Sequence, residues 1–390
     1  SMKAIIPKEI LKLHKLFKNQ GFELFLVGGS IRDFKKGETP KDYDLSTDAL
    51  PDTIISILAK NGYEYNLQGR SFGVIVVYTQ DGDFEIATFR EDITQGRKPE
   101  VRVGATIEDD CFRRDFTVNS MFYDISKDKI IDITGQGIND LENNIISFVG
   151  NANERIKEDK LRILRAFRFC ARYNGTFSVA TKEALLKNNS LKGVSKERVF
   201  TDEILKAKKQ CGENFYLYIN MLSDYNMWKE IFSEFNTINI HIEKQKEYDI
   251  VLILANVLKN NDGVSNGKRI VKIEDLLTVK EKMPIEYTSK IGFLIRFIKD
   301  FKADDVFLWY KDFMRCGLSK KQLKQWLYNN TVSTYYTKFI YYEPVYTSIQ
   351  IMDLLGIPHT DGKPDDPKLG KAIGDTMKEK EAERYAALIR

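Results

Sequence analysis

The stretch Glu23-Leu24-Phe25-Leu26-Val27-Gly28-Gly29-Ser30-Ile31-Arg32-Asp33 decides the fold. Its first five residues form a strand, and the two glycines break that strand ahead of a helix. Such a turn presents free backbone N–H groups to an anion. Arg32, one turn into the helix, adds charge-assisted hydrogen bonds to phosphate oxygens. Just downstream, Asp42-Tyr43-Asp44-Leu45-Ser46 reads as a second strand. Alternate residues of an extended segment share a side, so Asp42 and Asp44 project together and Tyr43 projects away. Two carboxylates beside a phosphate cradle suit a Mg²⁺ site for phosphoryl transfer, with Mn²⁺ as the alternative ion. Glu85, in Asp83-Phe84-Glu85-Ile86, is the candidate third acid from a neighbouring strand. Alone, an Asp-x-Asp is an ordinary solvated strand end and a Gly-Gly an ordinary turn. Their conjunction, in this order, carries the reading.

Working outward, residues 7–20 place Ile10, Leu13, Leu16 and Phe17 at helical spacing between Pro7 and Gly21. A helix is expected from Pro51 to Lys60. Phe72 through Tyr78 is apolar and β-branched, and Asp83 through Ala87 alternates. The connecting Thr79-Gln80-Asp81-Gly82 is a hairpin turn. Residues 1 to about 145 therefore read as a mixed α/β unit with a partly antiparallel sheet. From Asn153 the character changes. Glu154 to Arg172 reads as one long helix, and 180–190, 197–209, 213–234, 244–259, 274–282 and 302–329 as further helices. Polar breaks fall at 260–263 and 364–367, and there is no internal repeat. The aromatic stretch 335–346 has two readings, packing of the C-terminal part or stacking on nucleotides, and packing is the expected one.

The chain has 390 residues, 43% hydrophobic and 30% charged, which describes a soluble globular protein of two to four domains. No apolar run approaches the roughly 20 residues that cross a bilayer. Ser1-Met2-Lys3-Ala4 lacks signal-peptide anatomy, and Ser1 reads as an expression scar, so a cytoplasmic protein without a membrane partner is expected. Four scattered cysteines and three dispersed histidines suggest neither a zinc knuckle nor a disulfide framework, leaving carboxylates to hold any metal. A net charge of +4 permits a nucleic-acid partner without arguing for one.

Two further elements bear on chemistry. In Arg113-Arg114-Asp115-Phe116-Thr117-Val118-Asn119, adjacent arginines ahead of an apolar helix suit triphosphate contacts. Asp115 can accept from a ribose hydroxyl, or cap that helix and pair with an arginine. In Glu158-Asp159-Lys160-Leu161-Arg162, Asp159 and Arg162 are i and i+3 and share a helical face. An acceptor beside a forked donor matches the Watson–Crick edge of cytosine or adenine. Uracil and guanine put a carbonyl opposite the carboxylate, and burying unpaired polar groups costs about 1–3 kcal/mol each. The plain alternative is an intrahelical ion pair worth about 0.3–0.5 kcal/mol. Arg155, Lys157, Lys160, Arg165, Arg168 and Arg172 make this helix basic, as phosphate contacts or as a solvated face.

In this order, Gly-Gly-Ser-Ile-Arg-Asp (28–33), Asp-Tyr-Asp (42–44), Arg-Arg-Asp-Phe-Thr-Val-Asn (113–119) and Glu-Asp-Lys-Leu-Arg (158–162) resemble the class II CCA-adding enzyme and bacterial poly(A) polymerase family. Leu-Arg-Ala-Phe-Arg-Phe (164–169) and Glu-Arg-Val-Phe (197–200) resemble its neck segments, making Glu158, Arg165, Arg168, Glu197 and Arg198 supporting residues. The resemblance implies an α/β head of the polymerase-β nucleotidyltransferase type (1–145), then an all-α neck (146–210), body (211–285) and tail (286–390) in a seahorse architecture. It implies a two-metal Mg²⁺ site at Asp42 and Asp44, phosphate and ribose contacts from Gly28, Gly29, Arg32, Arg113, Arg114, Asp115 and Asn119, and base selection by Asp159 and Arg162. The partners implied are CTP, ATP and the tRNA acceptor arm, with no obligate protein partner. Gly69-Arg70-Ser71-Phe72-Gly73 is similar to the CCA-adding version, and 89–104 resembles the loop that switches from CTP to ATP. Poly(A) polymerase, split CC-adding or A-adding activity, and a non-catalytic RNA-binding protein remain the alternatives.

Overall fold

In the computed structural model, residues 1–93, 100–267, 269–330 and 337–390 are described. They form two compact units, one of 1–194 with 203–221 and the other of 195–202 with 222–390. No helix among the described residues is long and apolar enough to cross a membrane.

The first unit is built on a seven-stranded mixed sheet. Its strands are β1 (Leu24–Val27), β2 (Asp44–Thr47), β3 (Glu64–Asn66), β4 (Val74–Thr79), β5 (Gly82–Thr88), β8 (Phe122–Asp124) and β9 (Lys129–Ile131). The order is β3-β4-β5-β2-β1-β8-β9. Only β2 and β5 pair in parallel, and every other neighbour is antiparallel. The short β6 (Arg90–Asp92) and β7 (Val101–Val103) form a separate ladder. All four residues of β1 are buried, as a central strand covered on both faces requires. Phe25 and Val27 join Phe89, Cys111 and Phe122 in one core cluster. Helix α1 (Lys8–Asn19) starts behind Pro7 and buries Ile10, Leu13, His14 and Phe17, one apolar stripe at helical spacing. The unit continues through α2 (Gly29–Lys35), α3 (Pro51–Lys60), α4 (Ile107–Phe112), α5 (Gly137–Glu142), α6 (Ala152–Glu158), α7 (Arg162–Arg172), α8 (Val179–Lys187) and α9 (Lys206–Cys211).

Several boundaries differ from the sequence reading. Phe72 ends a 3₁₀ turn instead of opening a strand, because β4 begins only after the left-handed Gly73. The Arg113-Arg114 pair leads not into an apolar helix but into a 3₁₀ turn, Thr117–Asn119, and then β8. The single helix expected from Glu154 to Arg172 is two, because Asp159 is extended (φ −150°, ψ 103°). The segment expected as a helix over 197–209 is π-helical from Arg198 to Leu205 before α9.

The chain then passes through α10 (Phe215–Asp224), and the second unit adds α11 (Trp228–Ile231), α12 (Ile250–Leu258), α13 (Ile273–Lys280), α14 (Ile285–Asp300), α15 (Val306–Cys316), α16 (Lys320–Asn329), α17 (Ser348–Leu355) and α18 (Gly370–Leu388). The helix expected over 213–234 is interrupted where Asn226 takes φ 57°, and that over 302–329 where Gly317 takes φ 78°. The helix expected from 244 starts at Ile250, where Asp249 accepts from the N–H groups of Val251 and Leu252. Phe297, Phe301, Phe313, Phe339, Tyr342 and Tyr385 pack as an aromatic cluster with centroid spacings such as 4.6 Å for Phe297–Phe301 and 5.6 Å for Tyr342–Tyr385. Phe339 and Tyr342 thus spend the 337–346 segment on packing, while Tyr341 stays 72% exposed; 335 and 336 lie outside the described residues.

Candidate active site

A polar cavity of about 340 Å³ opens in the first unit where β1 ends. Gly28 follows the last residue of β1 with φ 79° and ψ −128°, a conformation that side chains strain to adopt. A Cβ there would also meet the Asn119 carbonyl at 3.5 Å. The strand register then brings the motifs together, since Val27 stands opposite Asp44 in β2 and opposite Phe122 in β8. Gly28, Gly29, Asp44 and Asn119 all line the cavity.

Arg32 folds back over this turn instead of reaching outward. Its Nη1 donates to Asn119 Oδ1 at 2.5 Å and its Nη2 lies 3.3 Å from Asp33 Oδ1. The guanidinium sits 5.7 Å from the Phe169 ring centre and 5.2 Å from that of Tyr173, both on or just after α7.

Asp44 opens β2 and lines the cavity. Its side-chain pKa is raised above the ordinary carboxylate range, first by the surrounding protein and then by the charges of Glu85 and Asp42, with Arg114 pulling it back. Asp42 precedes the strand, so the alternation that was to align it with Asp44 does not run through both. Asp42 and Glu85 flank Asp44 and are not among the cavity-lining residues. Among the described residues no group of three acids, histidines or cysteines already converges as a metal cage. Asp44 with its cross-strand partner Glu85 and the nearby Asp42 nonetheless offers oxygen donors only, the chemistry that suits a hard divalent cation such as Mg²⁺.

The remaining wall is a set of arginines held by carboxylates. Arg113 Nε donates to Asp92 Oδ1 at 3.0 Å. Arg114 donates twice to the buried Asp110, at 2.9 and 3.2 Å. Arg165 Nη2 reaches Asp115 Oδ2 at 2.5 Å, and Asp115 Oδ1 accepts from the Phe116 N–H and from Asn119. Burial alone would raise the Asp115 carboxyl; Arg165 and these hydrogen bonds outweigh it and hold the group below its usual range. Asp159 and Arg162 line the same cavity from the break between α6 and α7. Arg162 Nη1 donates to Glu158 Oε2 at 2.8 Å. The three motifs read from sequence therefore meet on one surface, with five arginines facing four aspartates.

Some neck residues take other places. Arg155 and Arg168, read as part of a phosphate-binding helix face, are 8% and 3% exposed. Arg155 donates to the main-chain carbonyls of Arg113 and Arg114, and Arg168 pairs with Glu203 at 3.0 Å and Gln210 at 2.6 Å. Glu197 and Arg198 belong to the second unit. Asp92 and Asp110 were missed. Asp110 stands four residues before Arg114, a detectable i, i+4 signal, whereas nothing local marks Asp92. Of 89–104, the segment expected as a switching loop, β6 and β7 are described and 94–99 lie outside the described residues.

Residues 24–147 match the Poly A polymerase head domain. Over 285 residues the chain is 32% identical to Poly(A) polymerase I of Salmonella typhi, covering 69% of this chain and 59% of that protein. It thus spans under two thirds of that relative's length. Over 314 residues it is 31% identical to the CCA-adding enzyme of Ligilactobacillus salivarius, covering 76% of this chain and 73% of that one. The crystal structure of Bacillus stearothermophilus CCA-adding enzyme in complex with CTP has the same fold, with a TM-score of 0.57 at 19% identity over 98% of this chain and 96% of that one. With its motifs gathered around one cavity, the chain belongs to the nucleotidyltransferase family of CCA-adding enzymes and bacterial poly(A) polymerases.

Proposed function

We propose that this protein is a cytoplasmic tRNA nucleotidyltransferase that adds CMP and AMP from CTP and ATP to the tRNA 3′ end without a template, releasing pyrophosphate. One observation carries the reading: the Gly28-Gly29 turn, the acid Asp44 and the Asp159/Arg162 pair line a single cavity. The names of relatives support it, since CCA-adding enzymes stand among them. In this reading Gly28, Gly29, Arg32, Arg113, Arg114 and Asn119 bind the triphosphate, Asp115 orients Arg165 and accepts from the ribose, and Asp159 with Arg162 reads the base edge. Asp42 and Asp44 would hold Mg²⁺, with Glu85 alongside; the ion supplies charge neutralisation at the α-phosphate and acidifies the attacking 3′-hydroxyl. The division into 1–145, 146–210, 211–285 and 286–390 goes with this reading, the last part taking the tRNA acceptor arm.

The test is incubation with tRNA lacking its 3′ end and each labelled nucleotide in turn. Incorporation of two CMP and then one AMP is the expected result. Long tracts from ATP alone would move the protein to the poly(A) polymerase reading, which the 32% identity to Poly(A) polymerase I favours. Incorporation of CMP only, or AMP only, would make it a split enzyme. No incorporation with any nucleotide would leave an RNA-binding protein.

A further inference from the structure

Arg155 lies in α6 and lines no part of the cavity, yet three elements of the site meet at its guanidinium. Its Nη2 donates to the main-chain carbonyl of Arg113 at 2.8 Å and to that of Arg114. Its Nη1 donates to Glu158 Oε2 at 2.9 Å. The same Glu158 oxygen accepts from Arg162 Nη1 at 2.8 Å, and that nitrogen also donates to the main-chain carbonyl of Arg155 itself, at 2.8 Å. One buried side chain thus links the backbone carrying the two phosphate-side arginines to the arginine on the base side.

We propose that Arg155 is a positioning residue for nucleotide choice: it fixes the distance and angle between the Arg113–Arg114 backbone and Arg162. This rests on the functional reading above. The physical argument is one of tolerance. Recognition of a base edge rejects the wrong base only if the donors cannot shift to meet it. Arg162 is the first residue of α7 and stands three residues after the extended Asp159, so helical hydrogen bonds do not continue through it from α6. The shared Glu158 carboxylate and the Arg155 carbonyl are what hold its guanidinium on the α6 side. Arg155 in turn holds that carboxylate against the head backbone, and its planar fork makes both contacts at once.

The experiment is equilibrium titration of the full chain with CTP, ATP, UTP and GTP in Mg²⁺, beside thermal melts, for wild type, R155Q, R155K and E158Q. R155Q is expected to cut the preference for CTP over UTP by about tenfold or more. Lysine, a single point donor, should recover only part of it. E158Q leaves the bonds to the Arg113 and Arg114 carbonyls in place and should lose selectivity in the same direction. The ratio of affinities is the deciding readout, because a purely structural role lowers the melting temperature and weakens all four nucleotides alike. R155Q that melts cooperatively and keeps the wild-type ratio overturns the proposal. Should R155Q not fold, a wild-type ratio in E158Q overturns it instead. A wild-type chain that binds all four nucleotides alike sinks the functional reading itself, and this inference with it.

Discussion

Asp44 and Glu85 stand opposite each other across the one parallel pair in the sheet, β2 against β5. Cross-strand partners share a face, so this register sets two carboxylates side by side at the end of the strand that also flanks the glycine turn. Desolvation of the Asp44 carboxyl first, and this crowding second, have a measurable consequence for stability. Because the Asp44 pKa is raised in the fold, the folded state holds that proton more tightly than the open chain does. The associated stability is complete below the ordinary carboxylate range and is lost as pH rises through the elevated value. At about pH 7, D44N should therefore melt slightly higher than wild type in EDTA, on the order of 1 °C, since the group stays open to solvent. The gap should close as pH falls towards about 4, and Mg²⁺ should raise the melting temperature of wild type more than that of D44N. A D44N protein that melts lower than wild type at neutral pH would contradict the raised pKa of this carboxyl. In the incorporation assay, D44A should lose on the order of a thousandfold in rate.

Base choice should fail before catalysis does at Asp159. Replacing it by alanine removes an acceptor from the cavity wall while sparing the acids near β2. D159A is expected to lose about tenfold to a hundredfold in discrimination of CTP over UTP, read from kcat/KM for each nucleotide. An unchanged ratio would remove Asp159 from base selection.

The Arg168–Glu203 pair is 4% exposed on each side. Burial pushes the Glu203 carboxyl up, and Arg168 opposes that shift without overcoming it. Removing the arginine alone strands a buried carboxylate, so R168M should cost about 3–5 kcal/mol in urea unfolding. R168M/E203L should recover most of that loss; a double variant as unstable as the single one would argue against the pair. Nearby, the Tyr218 hydroxyl is buried and has no hydrogen-bond partner among the described residues, so Y218F should melt at or above the wild-type temperature.

Glu381 in α18 is fully buried and accepts from the Tyr342 hydroxyl at 2.5 Å and from the N–H groups of Val345 and Tyr346 at 2.9 and 3.1 Å. Burial works against its ionisation, but these bonds and Arg384 outweigh burial and hold its pKa below the usual value. Its stabilising contribution is present above the ordinary carboxylate range and is lost as pH falls through the lowered folded value. E381Q should cost about 1–3 kcal/mol at neutral pH and flatten the acid limb of the stability curve. Parallel acid unfolding of the two proteins would contradict this.

That the Gly28 turn, Arg113, Arg114, Asp159 and Arg162 gather round one cavity was legible in the order of the motifs, whereas the helical face expected to carry Asp159 and Arg162 is absent, since Asp159 lies outside both helices. The break between α6 and α7 was not legible. Lys160 and Leu161 carry no glycine or proline signal; the helix stops because Asp159 Oδ1 takes the Leu161 N–H at 3.1 Å, a local bond that competes with the helical one. Arg155 read as part of a charged face because its partners are main-chain carbonyls 41 and 42 residues away, which no pattern displays. Helix α18 escaped notice for a related reason: of Ile373, Met377, Glu381 and Tyr385 on its buried stripe, the third is a charged residue whose partners sit on a distant segment.

The extended residue at 159 also sets how the protein answers a change in length. Helix α7 follows a two-residue spacer, Lys160 and Leu161, and not an unbroken spiral of hydrogen bonds. Eight of the eleven residues of α7 are buried, so packing holds its face while the spacer changes length. A residue inserted there is then absorbed at the expense of the Arg162 contacts to Glu158 and to the Arg155 carbonyl. A single-codon insertion at this spacer bears on the cavity wall, whereas the hairpin tip at Gln80 and Asp81 takes the same change away from it.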